Sequence, residues 1–226
     1  TGGGVKAGWP GLFAGFFEDG LFWGGWPGRF NPALLGFGQG LSLNIHAAAN
    51  EGEFWGNDFN LSHASNANAM AQASGANVKI LDDSFAQLAK RKDLPEFDII
   101  VLHGVWSSVS AENRQHILDI IRSKLALHGI VYFSYLAAPG LSAIKPIQHL
   151  ILTHAEHDSQ TDNNLLSKIE RALDFTQQVK DANAAFFINT PQAATHIERI
   201  KNLDGSYLAH EYYNSNWTPM YFSEVA

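Results

Sequence analysis

Three glycines at alternate positions, Gly36, Gly38 and Gly40, form the segment of this sequence that is best suited to hold a ligand. Glycine adopts backbone conformations that other residues avoid, and its missing side chain lets the backbone approach a ligand closely. The apolar, alanine-rich run 41–49 that follows predicts a helix, whose N-terminus offers unpaired N–H groups. A turn of this kind, with Phe37 between its glycines, suits a nucleotide-like cofactor.

The spacing of these glycines distinguishes between two cofactors. The dinucleotide-binding turn has the pattern Gly-x-Gly-x-x-Gly, but Leu41 stands where its third glycine belongs. S-adenosylmethionine has no pyrophosphate and does not need that glycine. The pattern therefore favours S-adenosylmethionine, with S-adenosylhomocysteine as product, and leaves an NAD-dependent oxidoreductase as a less favoured alternative.

An aspartate stands at the distance from the turn at which a ribose would be bound. Asp58 follows Gly38 by twenty residues and ends the strand candidate 53–58, from which a carboxylate can accept hydrogen bonds from ribose hydroxyls. The alternative is a turn aspartate that precedes Asn60.

A second aspartate follows the next strand candidate. The carboxylate of Asp83, or the backbone of Ser84 and Phe85 beside it, is placed to meet an adenine edge. The alternative is that Asp83 caps a helix over residues 84–90.

Transfer of a methyl group requires above all that the acceptor is aligned with that group. A base is needed only when the acceptor loses a proton. His103 directly follows the apolar strand candidate 97–102 and is the candidate proton acceptor or substrate contact. Tyr135, at the end of the next strand candidate, is the second catalytic candidate. Trp106 is a possible aromatic wall for a cationic acceptor. Ordinary packing or bonding to the protein is the alternative for each of these side chains.

Two other polar groups have weaker patterns. His154 and His157 can share a helix face with Asp158 nearby, but no further ligands are marked, so we expect a solvated helix end and no metal site. His210 and Glu211 are equally compatible with a substrate contact and with a turn or interface.

Strand candidates alternate with helix candidates along the chain. The strand candidates are 53–58, 78–81, 97–102 and 130–134, and the helix candidates are 41–49, 61–74 and a longer helix that begins at the cap Ser110 and stops at Gly129. This alternation predicts an α/β fold with a doubly wound, mostly parallel sheet. After Pro139-Gly140 the apolar spacing becomes helical throughout.

These patterns predict four parts of the chain. Residues 1–30, rich in glycine and aromatic residues, form an irregular arm whose aromatic residues pack on the domain or, alternatively, cap a ligand pocket, and residues 31–140 form the cofactor-binding domain. Residues 141–206 form a helical insertion, and residues 207–226 return to the core.

The composition narrows the class of protein. The chain has 226 residues, of which 46% are hydrophobic, and a formal net charge of −7, which argues against a nucleic-acid partner. It contains no cysteine, so thiolate metal sites and disulfides are excluded. We expect no signal peptide and no membrane helix, and hence a cytoplasmic protein with a protein or small-molecule acceptor.

With these residues placed, the sequence resembles a bacterial group of class I methyltransferases that carry a methyltransferase regulatory domain, a group that includes rickettsial protein lysine methyltransferases. The resemblance covers about residues 31–226, and its blocks are Leu35–Ala49, Phe54–Asn60, Phe97–Gly104, Val131–Tyr135 with Pro139-Gly140, Tyr207–Glu211 and Pro219–Val225. It implies S-adenosylmethionine-dependent methyl transfer on a Rossmann-like fold with a helical insertion after the fifth strand. Phe59, His103 and Gly104, which lie within these blocks, are further candidates for contact with the cofactor.

The sequence departs from that group in two places. The group has a strand before the first glycine, with an acid two positions ahead of it, whereas this chain has Leu34 there and only residues 31–35 in front. We therefore expect the glycine turn to lack its leading strand. The group also continues beyond Ala226, so we expect a shortened version of a longer protein. Both departures leave open a non-catalytic cofactor-binding module.

Overall fold

The structure, a computed structural model, describes residues 30–159 and 164–226. The predicted arm 1–30 therefore lies, apart from Phe30, outside the described residues. Contacts within the chain divide it into two compact units. Among the described residues, one unit consists of those up to Val101 together with Ile120–Val131, and the other of those in Leu102–Asp119 and Tyr132–Ala226.

The described residues form one five-stranded sheet with the order β3-β2-β1-β4-β5. Its strands are β1 Pro32–Leu35, β2 Phe54–Asn57, β3 Val78–Leu81, β4 Phe97–Leu102 and β5 Leu125–Phe133. β1 pairs in parallel with both β2 and β4, and β2 pairs in parallel with β3. The chain fills one side of β1 first and then the other, which is doubly wound topology. In such sheets, ligands bind beyond the carboxyl ends of the strands near this reversal.

Helices connect these strands. They are α1 Leu41–Ala49, α2 Leu61–Ser74, the short α3 Phe85–Leu88 and α4 Ala111–Lys124. α1 and α2 agree with the predicted bounds, and α4 begins after Ser110, whose hydroxyl accepts the N–H of Asn113 at 3.2 Å. This bond satisfies an orphan donor of the first turn, as the predicted cap requires.

A strand does lead into the glycine turn, so the expectation that it is missing is wrong. All four residues of β1 are buried, and the strand lies in the middle of the sheet between β2 and β4. A strand covered on both faces has no polar alternation to announce it. Pro32 stands at the first strand position, which is where a sheet tolerates proline. The acid remains absent, since Leu34 is a core residue.

The junction between α4 and β5 also differs from the prediction. The helix was expected to run to a stop at Gly129, but it ends at Lys124 and β5 begins at Leu125. Ile117 and Ile120 are fully buried, whereas Leu127 is exposed, so the apolar face that stabilises the helix ends before Gly129. The predicted strand 130–134 is the latter part of this longer strand.

Helices follow β5, as predicted. They are α5 Lys145–Glu156, α6 Leu165–Asp181, α7 Ala185–Asn189, α8 Pro191–Ile200, α9 Gly205–Tyr212 and α10 Phe222–Val225. Apolar residues at the helical spacing noted after Pro139-Gly140 form their core, which includes Ile144, Ile147, Ile151, Ile169, Ala172, Ala193, Ile197 and Ile200. Leu165 and Phe175 follow the same spacing but are partly exposed. Among the described residues, no helix is long and apolar enough to cross a membrane.

The chain beyond α9 comes back to the segment that follows β5. Ala137 and Met220 form a parallel bridge, in which the N–H of Met220 donates to the carbonyl of Leu136 and the N–H of Ala138 donates to the carbonyl of Met220, each at 2.8 Å. The first part of the predicted return segment, residues 207–212, belongs to α9.

Candidate functional site

The glycine turn joins β1 to α1, and each of its three glycines has a left-handed backbone. The φ angles of Gly36, Gly38 and Gly40 are 73°, 60° and 79°. Residues with a Cβ rarely adopt this region, so the alternate spacing follows from the turn geometry itself. Gly40 also precedes the first residue of α1 and accepts the N–H of Asn44 at 3.1 Å.

Two of these glycines have different surroundings. A Cβ on Gly40 would stand 2.4 Å from the Cβ of Ala67, so its small size lets α2 approach the turn. A Cβ on Gly38 would meet no atom of the described residues within 4 Å. Gly40 is therefore required by packing, whereas Gly38 presents its backbone to open space.

Asp58 lies directly against this turn. Its Oδ2 accepts the N–H of Gly38 at 2.8 Å, and its Oδ1 accepts the N–H of Asn60 at 3.0 Å. The Nδ1 of His63 is 3.3 Å from the same Oδ1. The side chain thus serves as the turn aspartate considered above and also links the ends of β1 and β2, with only 7% of the residue exposed.

Two phenylalanines near this carboxylate differ in exposure. Phe59 follows Asp58 and is 75% exposed. Phe37 packs inward, because a Cβ on Gly56 would stand 2.8 Å from its Cδ1. The side chain of Phe37 therefore contacts the protein core, and its backbone alone faces the turn, while the ring of Phe59 is accessible.

The segment after β3 is held by protein contacts. Asp83 lies two residues beyond the end of β3, and its Oδ2 accepts a bond from Nη1 of Arg91 at 2.8 Å. Ser84, rather than Asp83, caps α3 in a capping box with Gln87, and Phe85 is the first helical residue. The helix considered for residues 84–90 thus exists in a shorter form with a different cap.

Asn57, the last residue of β2, was not among the residues predicted for the site. Only 1% of it is exposed, and its Nδ2 donates to the backbone O of Asp83 while its Oδ1 accepts the backbone N–H of Asp83. This amide fixes the segment that follows β3 to the end of β2. An asparagine at the end of an otherwise apolar strand, directly before the acid, was the available indication.

In the second compact unit, His103 follows β4 directly, as predicted. Its Nδ1 is 3.1 Å from Oγ of Ser134, and the same Oγ accepts the N–H of Gly104 at 2.8 Å. Burial lowers the pKa of His103, which keeps the ring neutral at pH 7. Ser134 was not among the predicted site residues, since nothing in its sequence neighbourhood indicates a contact 31 residues away.

Tyr135 and Trp106 belong to a small aromatic group in the same unit. The ring centroid of Phe133 is 5.4 Å from that of Trp106 and 6.2 Å from that of Tyr135. These are ordinary aromatic packing distances, so packing accounts for both side chains without a ligand. Tyr135 lies two residues past the end of β5 rather than at it.

The remaining polar candidates are engaged by neighbouring protein groups. His154 stacks on Phe175 with 4.6 Å between ring centroids, and Nδ1 of His157 donates to the carbonyl of Thr153 at 2.9 Å. Within the described ranges, no three His, Cys, Asp or Glu side chains are grouped to hold a metal ion.

Of the last pair of candidates, His210 is exposed and Glu211 is partly buried. Burial raises the pKa of Glu211, although its Oε1 accepts a bond from Nε1 of Trp217 at 2.7 Å. Glu211 thus has a partner within the helical unit.

Comparisons with known proteins bear on the fold. No family model matches the chain. The uncharacterized protein sll1526 of Synechocystis sp. is 42% identical over 200 residues, which make up 88% of this chain and 39% of sll1526. The uncharacterized protein RP028 of Rickettsia prowazekii is 29% identical over 129 residues, or 57% of this chain and 50% of that protein. The chain thus spans half or less of the length of these curated relatives.

A solved structure matches most of the chain. PKMT2 from Rickettsia typhi in complex with AdoHcy is similar over 92% of this chain and 40% of that chain, with a TM-score of 0.68 and 24% sequence identity. The chain therefore has the fold of PKMT2, a Rossmann-like class I methyltransferase fold. The predicted fold class and the predicted similarity to rickettsial proteins are confirmed.

Proposed function

We propose that this chain binds S-adenosylmethionine and transfers its methyl group to an acceptor that is a protein side chain or a small molecule. The observation that carries the proposal is the pair Gly38 and Asp58. A carboxylate lies against a glycine backbone that faces open space, at the ends of two neighbouring parallel strands. The likeness to PKMT2, which is in complex with AdoHcy, supports the choice of cofactor.

The residues present fit the adenosine part of such a ligand. Asp58 has three donors on its two oxygens, and a carboxylate offers about four lone-pair positions, so one position on Oδ2 has no donor among the described contacts. We assign that position to a ribose hydroxyl. The exposed ring of Phe59 offers a flat apolar face for the adenine.

The other loops supply further contacts in this proposal. We assign the backbone of Gly36, Phe37, Gly38 and Gly40 to the side of the cofactor that carries the amino acid. Asp83 is held by Arg91, so its side chain orients the segment while the backbone of Ser84 and Phe85 is assigned to the adenine edge. Leu34 gives β1 no carboxylate for the amino group.

When bound, S-adenosylmethionine would supply a methyl group on a sulfonium, and an aligned nucleophile would take that methyl group while S-adenosylhomocysteine leaves as the thioether. We assign proton acceptance to His103 because its ring is neutral at pH 7 and therefore has one nitrogen that accepts a proton. Ser134 holds that ring through Nδ1 and holds Gly104 beside it. Tyr135 is assigned to orient the acceptor.

We also keep the proposed division of the chain. Residues 31–140 are assigned to cofactor binding, residues 141–206 to a helical insertion and residues 207–226 to a return segment. The bridge between Ala137 and Met220 supports the last assignment, because it ties that segment to the chain directly after β5.

Calorimetry on the 226-residue chain tests the first step. We expect binding of S-adenosylmethionine and S-adenosylhomocysteine, and no measurable binding of NAD under the same conditions. If neither adenosyl ligand binds to the folded protein, the proposal is overturned. Preferential binding of NAD would instead favour an oxidoreductase.

Transfer of a radiolabelled methyl group into a size-fractionated lysate tests the second step. Label in a macromolecular fraction indicates a protein acceptor, and label in the small-molecule fraction indicates a metabolite. Binding of S-adenosylhomocysteine without transfer into any fraction would favour a non-catalytic binding module.

A further inference from the structure

His63 is the polar member of an otherwise alanine-lined helix face. It lies near the start of α2, where Ala64, Ala67 and Ala71 are buried, and only 9% of the histidine itself is exposed. An imidazole in such surroundings is costly unless its polar atoms are bonded. Its Nδ1 lies 3.3 Å from Oδ1 of Asp58, so the ring is directed at that carboxylate.

The direction of this bond follows from the chemistry of the two groups. A carboxylate accepts hydrogen bonds and donates none, so Nδ1 of His63 must carry the proton that the bond uses. Asp58 Oδ1 then receives one donor from helix α2 and one from the backbone of Asn60, while Oδ2 receives the N–H of Gly38. Donors on both oxygens fix the rotation of the carboxylate plane.

The turn at Asp58 does not require His63. An aspartate that accepts the N–H of the residue two positions on is a complete turn motif without any histidine. The bond from His63 therefore adds orientation of the carboxylate to an arrangement that would form without it. Orientation matters for a group that must meet a ligand, and not for one that only closes a turn.

We infer that His63 is a positioning residue, which holds Asp58 in the orientation that grips Gly38 and leaves one lone pair of Oδ2 for a ribose hydroxyl. This inference rests on the proposed function. His63 acts through Asp58 and is given no contact with the cofactor. The chain thus uses helix α2, which follows the carboxylate in sequence, to set the geometry of the turn that precedes it.

Two substitutions separate positioning from bulk packing. His63→Asn keeps an N–H donor near the place of Nδ1, whereas His63→Leu fills similar space without a donor. We expect His63→Leu to weaken binding of S-adenosylhomocysteine about tenfold, the effect of losing one hydrogen bond to a charged group, and His63→Asn to stay within about twofold of wild type. The readout is the dissociation constant from calorimetry.

A control accounts for loss of stability. Ala71→Gly weakens the same buried face of α2 without touching Asp58. Urea unfolding of each variant shows whether it is folded, and Ala71→Gly is expected to bind S-adenosylhomocysteine like wild type despite its lower stability. A double variant, His63→Leu with Asp58→Ala, is expected to bind no more weakly than Asp58→Ala alone, because His63 acts only through Asp58.

A measurement without ligand gives a second readout. The N–H of Gly38 is bonded to the carboxylate that His63 holds, so its hydrogen exchange by NMR should be faster in His63→Leu and restored in His63→Asn. Equal exchange in wild type and His63→Leu, or equal affinity for S-adenosylhomocysteine in those two proteins, would overturn the inference. So would additive losses in the double variant. If wild type binds S-adenosylhomocysteine but one of these contrary outcomes is observed, only the inference about His63 fails. If wild type does not bind S-adenosylhomocysteine, the proposed function fails and the inference fails with it.

Discussion

Asn57 and Asp83 are joined by two hydrogen bonds that copy a strand pairing through a side chain. The amide Nδ2 donates to the carbonyl of Asp83 at 3.0 Å, and Oδ1 accepts its N–H at 3.1 Å. Both bonds lie just past the last paired residues of β2 and β3. The amide thereby extends the order of the sheet into the segment that contains Ser84 and Phe85.

Replacement of Asn57 by leucine should destabilise the protein measurably. The two side chains are similar in size, but leucine leaves the N–H and carbonyl of Asp83 without these partners. We expect the free energy of unfolding to fall by about 2 kcal/mol in urea titrations. Asn50→Ala, which removes one bond from Nδ2 to the carbonyl of His46, is the milder control. Equal losses in the two variants would show that the Asp83 pairing adds little.

Alanine at Gly38 and at Gly40 should have different consequences. Both sites have positive φ, which costs a residue with a Cβ about 1 kcal/mol or slightly more. Gly40→Ala also forces its Cβ against Ala67, so it should lose clearly more stability than Gly38→Ala. Urea unfolding compares the two.

Ligand affinity provides a second test of Gly38→Ala. Gly38 faces open space, so Gly38→Ala should weaken S-adenosylhomocysteine binding by more than its small stability loss suggests. Normal affinity in Gly38→Ala would argue against close approach of the ligand to this backbone.

Phe59→Ala should affect binding without affecting stability. The ring is exposed, so its removal should change the free energy of unfolding by about 0.5 kcal/mol or less. If the ring stacks on adenine, affinity for S-adenosylhomocysteine should fall about tenfold. Leu61→Ala removes another exposed apolar side chain two residues away and serves as the control. Equal affinity in both variants would remove Phe59 from the site.

Stability of the helical unit should depend on His196 in acid. This side chain is buried in α8 with Nε2 2.6 Å from the hydroxyl of Tyr212, and burial together with the charge of Arg199 lowers its pKa to about 4. The unfolded chain takes up a proton near pH 6.5, and the folded one does so only near pH 4. The free energy of unfolding should therefore fall as the pH decreases from 6.5 towards 4, by up to about 1.4 kcal/mol per pH unit, and then level off.

Urea titrations between pH 7 and pH 4 measure this effect. His196→Gln removes the titrating group, so its unfolding free energy should change less over that range than that of wild type. His149→Gln removes an exposed histidine from α5 and is the control. Identical profiles for wild type and His196→Gln would contradict the prediction.

The sequence was sufficient to predict an element where its residue types have a single physical explanation. The apolar run 97–102 indicated the bounds of β4 because a strand buried in a parallel sheet needs apolar side chains on both faces. The glycine spacing was informative because positive φ excludes most other residues. β1 escaped detection because four apolar residues after an asparagine have no period that distinguishes a strand from a loop or helix.

The parts of the site that depend on distant partners could not be predicted. Asn57 contacts a segment 26 residues away, and Ser134 contacts His103 across 31 residues. Their side chains are common polar groups whose partners are set by the sheet order. The bond between Asp58 and Gly38 has the same origin, since the spacing indicated a shared ligand and not a direct contact between the two residues.

The closeness of Gly40 to Ala67 also constrains how this chain can diverge. Helix propensity is the usual explanation for alanines such as those of α2. Ala67, however, also contacts Gly40, where there is no space for a side chain. Larger side chains at position 67 would push the helix away from the turn that Asp58 and His63 hold together. We expect drift at these two positions to be coupled across descendants of this sequence, with small residues kept at both while the exposed face of the same helix varies freely.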